Sequence, residues 1–137
     1  MQFYLSINPP TATAQEKKVS VVHGRPVFYN PPAVRKAKEL LCKELVRFKP
    51  DEPFDGALSL ECRWHFPKGR THLEGQWRTT RPDTDNLQKL LKDCMTKCGY
   101  WHDDAQVVRE ICEKDWSEMV GIYIEIHKLG ECKNEQI

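Results

Sequence analysis

Asp85-Asn86-Leu87-Gln88-Lys89-Leu90-Leu91-Lys92-Asp93-Cys94-Met95-Thr96-Lys97-Cys98-Gly99 carries the clearest structural signal in the chain. Leu87, Leu90, Leu91, Cys94, Met95 and Cys98 recur at three- and four-residue spacing, which puts them on one face of an amphipathic helix. Gly99 stands where a left-handed residue would end that helix. Asp83 and Asp85 lie at its start, and Asp103 and Asp104 lie just beyond its end. The helix thus separates two acidic clusters, and their chemistry depends on whether they meet in space.

Working outward, Leu58, Leu60, Cys62, Trp64 and Phe66 alternate with Ser59, Glu61, Arg63 and His65, the pattern of a half-buried strand. Phe3, Leu5 and Ile7 alternate in the same way before Asn8-Pro9-Pro10. Val19–Val22 and Val27–Tyr29 flank His23-Gly24 and predict a hairpin. Asn30 as cap and Pro50 as stop bound a first helix, with Val34, Ala37, Leu40, Leu41, Leu45 and Phe48 on one face. Arg35, Lys36, Lys43 and Arg47 occupy its other face, as solvated surface or as a phosphate-facing flank. Residues 106–116 and 121–127 read as two strands, and their short connection predicts a second hairpin. The expected fold is α+β, a single domain over residues 1–137. One mixed β-sheet of about five or six strands carries two helices.

The 137 residues are 39% hydrophobic and 30% charged, which suits a globular domain with a substantial core. No run of about 18 apolar residues predicts a membrane span, and the start lacks the pattern of a signal peptide. The expectation is an intracellular protein whose six cysteines stay reduced. Cys94, Cys98 and His102 share a helical side, but Gly99 intervenes and no fourth zinc ligand is evident. Charge is uneven: residues 13–49 carry nine Lys/Arg against three Glu, whereas residues 103–137 carry nine acidic against four basic residues. Between strand and helix, Lys68, Arg70, Arg78 and Arg81 surround Trp77 in what reads as a mobile loop. Such a loop suits gripping a phosphate backbone, with Trp77 stacking on a base. A plain surface loop is the alternative.

Asp83 and Asp85 project to one side of an extended approach to the helix, and Lys89 follows Asp85 by one turn. Two or three aspartates suit Mg²⁺, which takes a few carboxylate oxygens and keeps sites for water and phosphate. A nearby lysine would stabilise charge developing on a phosphate. Asp-x-Asp-Asn alone is more often a helix cap with a solvated neighbour, and Lys89 with the downstream Asp-Asp raises the metal reading. An EF-hand is disfavoured, because the required glycine and bidentate glutamate are missing.

Arg81-Pro82-Asp83-Thr84-Asp85-Asn86-Leu87-Gln88-Lys89, followed by Gly99-Tyr100-Trp101-His102-Asp103-Asp104-Ala105-Gln106-Val107-Val108, resembles the signature of the RusA family of Holliday-junction resolvases. The two elements match in order and spacing over about thirty residues. The resemblance implies a homodimeric endonuclease of phage or bacterial cytoplasm that nicks four-way DNA junctions symmetrically. It implies Mg²⁺ dependence, with Mn²⁺ as a substitute, and no small-molecule cofactor. By the same resemblance Asp83, Asp85 and Asp104 are the metal carboxylates and Lys89 the essential lysine, with Asp103 and Asn86 in support. The acidic last third departs from the more basic members and leaves the DNA-binding face undefined. Two rivals are a nuclease for other branched DNA and a non-catalytic, DNA-binding recombination regulator. The regulator is disfavoured by the intact set of Asp83, Asp85, Lys89 and Asp104. The deciding observation is how Asp104 stands to Asp85, since shared coordination needs metal–oxygen bonds of about 2.1 Å.

Overall fold

The central strand of the molecule is β4 (Leu58–Pro67), and its alternation dictates the layers. Leu58, Leu60, Cys62, Trp64 and Phe66 are all buried, whereas the intervening side chains face away from the core. A computed structural model describes residues 1–13, 18–29 and 32–135. Its elements are β1 (Gln2–Leu5), β2 (Lys18–Val22), β3 (Arg25–Tyr29), α1 (Pro32–Val46), β4, α2 (Thr84–Cys98), β5 (Val107–Ser117) and β6 (Gly121–Lys128). Asn30, the expected cap of α1, lies outside the described residues.

Six strands form, as expected, in an α+β fold with two helices. They divide into a mixed four-stranded sheet, ordered β1-β6-β4-β5, and a separate β2-β3 ribbon. The ribbon turns through His23 (φ 50°) and Gly24 (φ 76°), the paired positive values of a two-residue hairpin turn. Both helices cover one face of the sheet. Ala37, Leu41 and Leu45 of α1 and Leu87, Leu90, Leu91, Cys94 and Met95 of α2 join the strands' apolar sides in one core. Burying each large side chain contributes about 1.5–3 kcal/mol, which explains why the stripes read from the sequence were dependable. Leu40 is the exception on α1, 42% exposed at the edge of the buried face. No disulfide links the described cysteines.

The second hairpin is not formed. β4 lies between β5 and β6, parallel to the first and antiparallel to the second. A short link between two strands normally signals adjacency. Here residues 118–120 step across the end of β4, over about 10 Å, or two strand spacings, where β4 has just left the sheet at Pro67. Lys68 N–H donates to the Ser117 carbonyl and closes that crossing. Gly121 completes it: a Cβ there would lie 2.3 Å from Tyr4 Cε1 and 2.5 Å from the Leu5 carbonyl oxygen. The β4-α2-β5 segment is consequently a parallel βαβ unit, in which β5 returns alongside α2.

Candidate active site

The start of α2 is held from below and from the side. Asp83 occupies the N-cap position, but its carboxylate makes no capping hydrogen bond. The Asp83 carbonyl instead accepts from Leu87 N–H at 3.1 Å, the ordinary helical bond. Asp85 Oδ1 accepts only from the adjacent Asn86 N–H, at 3.0 Å. Both carboxylates are exposed, so the capping role leaves their oxygens largely unspent. One turn on, Lys89 extends into solvent with its Nζ 3.7 Å from Asp93. Gln88 points inward, where its Oε1 accepts from the buried Trp64 Nε1 at 2.8 Å and ties α2 to β4.

Immediately upstream, two cations hold three successive carbonyls. Lys114 Nζ on β5 donates to the Thr80 and Pro82 carbonyls at 2.6 and 2.7 Å. Arg78 donates to the Arg81 carbonyl through Nε at 3.1 Å and through Nη2. Its guanidinium lies 4.2 Å from the Phe66 ring centroid and 4.5 Å from that of Trp116, and burial lowers its pKa. His72 stacks on the remaining face of Trp116 at 3.9 Å. The loop is thus tied down rather than free. Gly75 N–H donates to the Trp116 carbonyl, Trp116 N–H to Gln76, and Arg78 N–H to Lys114, all along the outer edge of β5. Glu74 accepts from Ser117 Oγ and Glu118 N–H, each at 2.7 Å, and these bonds hold its carboxyl below the usual range.

Among the loop residues singled out for DNA, Arg70 and Arg81 are exposed, and Trp77 is 62% exposed. Lys68 pairs with Glu118 at 3.2 Å. Arg78 is engaged in the aromatic clamp just described.

The second acidic cluster is built differently. Tyr100 and Trp101 are buried after Gly99, with Tyr100 Oη donating to the Leu45 carbonyl and Trp101 Nε1 to Thr96 Oγ1. Asp103 then caps a short 3₁₀ turn, Asp104–Gln106, accepting from Ala105 N–H at 2.8 Å. Gln106 answers by accepting from His102 and Asp103 N–H and donating to the Phe54 and Gly56 carbonyls. Asp103 Oδ1 is therefore engaged in holding the turn. The Asp104 carboxylate has no hydrogen-bond or ion-pair partner among the described residues.

Within one chain the two clusters stay apart. α2 has fifteen residues, about 22 Å of helix, with Asp83 and Asp85 at one end and Asp104 past the other. β5 does run back along α2, but it begins only at Val107. The residues it brings to the first cluster are Glu110, Cys112 and Lys114. Thr84, Asp85, Gln88, Glu110 and Cys112 line a cavity of about 310 Å³. Lys92 holds Glu110 at 3.0 Å. Among the described residues no three His, Cys, Asp or Glu side chains come close enough to hold a metal together.

The sequence matches the family model described as Endodeoxyribonuclease RusA over residues 8–127. It is 33% identical over 127 residues to the crossover junction endodeoxyribonuclease rusA of Lactococcus phage r1t, covering 91% of this chain and 95% of that protein. The chain belongs to the RusA family. A local stretch of 51 residues is 64% identical to the crossover junction endodeoxyribonuclease RusA of Escherichia coli K12, over 37% of this chain and 32% of that protein. The same identity and coverage relate it to the rusA protein of Enterobacteria phage 82. No described helix of this RusA member is long and apolar enough to cross a membrane.

Sequence reading passed over Lys114 and Glu110 and gave Arg78 a different partner. A signal for the first two was present: Glu110, Cys112 and Lys114 alternate on one side of β5. What was missing was the parallel pairing that turns that side toward α2.

Proposed function

We propose that this RusA-family endodeoxyribonuclease resolves four-way DNA junctions as a homodimer, by paired symmetric nicks that depend on Mg²⁺ or Mn²⁺. The reading rests on one observation above all: Asp83 and Asp85 stand two residues apart at the start of α2 with oxygens largely unspent, and Lys89 follows Asp85 by one turn. These hard carboxylate donors fit a small divalent cation, which prefers a few such oxygens and otherwise keeps water and phosphate. Bound there, the ion would polarise the scissile phosphate and lower the pKa of an attacking water. Asp83 and Asp85 hold that position, and the anchored carbonyls behind them keep it fixed. Lys89, freed from its exposed contact with Asp93, would stabilise negative charge on the phosphate as it is attacked. Exposed Arg70, Arg81 and Trp77 would meet the strand leading into the site.

Asp104 supports the dimer. It cannot reach Asp83 and Asp85 of its own chain across about 22 Å of helix, yet its carboxylate is unspent. In a two-fold dimer, Asp104 of the partner subunit completes each site, and two equivalent sites face two strands of a junction. Mixing Asp85→Asn with Asp104→Asn chains tests this. Sites shared between subunits give mixed dimers one intact site, which restores single nicks in a synthetic junction. A site within one chain leaves the mixture as inactive as either parent. Flap and duplex DNA in the same assay separate a junction resolvase from a general branched-DNA nuclease.

A further inference from the structure

We infer that the groove between α1 and α2 is the track on which the protein holds the phosphodiester backbone of a DNA arm. The helices run parallel where they touch: Cys94 Sγ lies 3.9 Å from the Lys38 carbonyl and Cys98 Sγ 3.7 Å from that of Cys42. Side by side, they leave a groove of about 500 Å³ lined by Arg35, Lys38, Glu39, Lys43 and Lys97, with Cys42 and Val46 at its floor and rim. Four cations thus face one carboxylate. None of Arg35, Lys38, Lys43 or Lys97 forms an ion pair among the described residues. By contrast Lys89 and Lys92 on α2, and Arg47 just past the end of α1, are each paired with an acid. Unpaired cations gathered in a concave strip are what a polyanion neutralises, with release of its counterions.

The opposite side of the molecule supplies the second, independent argument. The uncovered face of the sheet presents Glu61, Glu113, Asp115 and Glu125 against Arg63 and Arg109. Arg63 there is already held by Glu61 at 3.0 Å and lies 3.6 Å from Glu113. Three of the nine acidic residues of the last third, Glu113, Asp115 and Glu125, lie on this face. A near-neutral protein acquires a repelling side and an attracting side, and a duplex arm is steered onto the helices. The expected mobile grip of the 67–81 loop is meanwhile reduced, because Arg78 and Lys68 are committed within the protein.

This inference rests on the DNA-junction reading above, and the experiment separates the two. Junction binding is measured by fluorescence anisotropy with Ca²⁺ in place of Mg²⁺, from about 50 to 300 mM salt, for the wild type and for Arg35→Ala/Lys38→Ala/Lys43→Ala/Lys97→Ala. The slope of log affinity against log salt is expected to shallow by about two to four, with affinity down at least about tenfold at 150 mM. The charge-preserving set Arg35→Lys/Lys38→Arg/Lys43→Arg/Lys97→Arg should restore both, which excludes misfolding as the cause. Glu61→Ala/Glu125→Ala, on the acidic face, should leave the slope unchanged. A wild type that binds while the alanine set binds equally well overturns the groove alone. A wild type that fails to bind junctions overturns the junction reading and the groove with it.

Discussion

At the scale of single residues, Lys89 and Lys114 stand at the two sides of the candidate site and should behave oppositely. Lys89 holds nothing in place except an exposed contact with Asp93. Lys89→Ala should keep its melting temperature and junction affinity while turnover falls by about 10²–10³. Equal loss of affinity would make it a DNA anchor instead. Lys114 holds the Thr80 and Pro82 carbonyls next to Asp83. Lys114→Met should lose about 2 kcal/mol of stability, because charge-assisted bonds are removed and two carbonyls are orphaned. Turnover should drop as well, and Mn²⁺ binding followed by electron paramagnetic resonance should weaken. Lys114→Arg should recover most of both, and unchanged Mn²⁺ affinity in the methionine variant would sever this lysine from the site.

At the scale of elements, what was legible depended on how locally the physics is encoded. The apolar stripes of β4 and α2, the Gly24 turn and the Gly99 stop are all fixed by periodicity or backbone conformation within a few residues. Gly99 has φ 89° and its N–H reaches the carbonyls of Met95 and Thr96, as a left-handed terminator should. The order of strands was not legible. Whether the 118–120 link joins neighbours or steps across β4 depends on where β4 ends, some fifty residues earlier. The contacts of Arg78 were not legible for a related reason: its partners, Phe66 and Trp116, belong to two different strands. Gly121 could have raised suspicion, since a glycine at the start of an apolar strand often marks a close approach. Gly121→Ala should lose about 3 kcal/mol, the upper end for overpacking, since a carbonyl oxygen cannot move aside as a flexible side chain can. A thermal melt within a degree of wild type would show that β1 or the link can yield.

At the scale of the whole molecule, one core serves both helices and the sheet, and its thiols give it a pH signature. Burial pushes the Cys112 thiol up to about 12 and Cys98 to about 11, and it raises Cys62 and Cys94 further. Raised thiol values mean that the folded chain keeps protons that the unfolded chain releases. That stability is fully present below about 9, the ordinary range of a thiol, and is lost progressively as pH rises toward 12. Urea midpoints should therefore fall steadily above pH 9. The Cys62→Ala/Cys112→Val variant should show a shallower fall, and identical slopes would assign the alkaline loss to other groups.

The placement of β4 between two strands made later has a consequence for the order of assembly. β4 is complete at residue 67, yet both its neighbours lie beyond residue 106. During synthesis its five buried side chains wait while some forty further residues emerge before one edge can begin to pair, and more than fifty before the other can. An unpaired apolar strand of that length is a template for wrong partners. α1, already made, and α2, which follows, pack on the same face, so α2 completes the cover that α1 begins. The helix that separates the two acidic clusters in the finished protein is thus also the element that closes the nascent chain's cover over this apolar strand before its edges are paired.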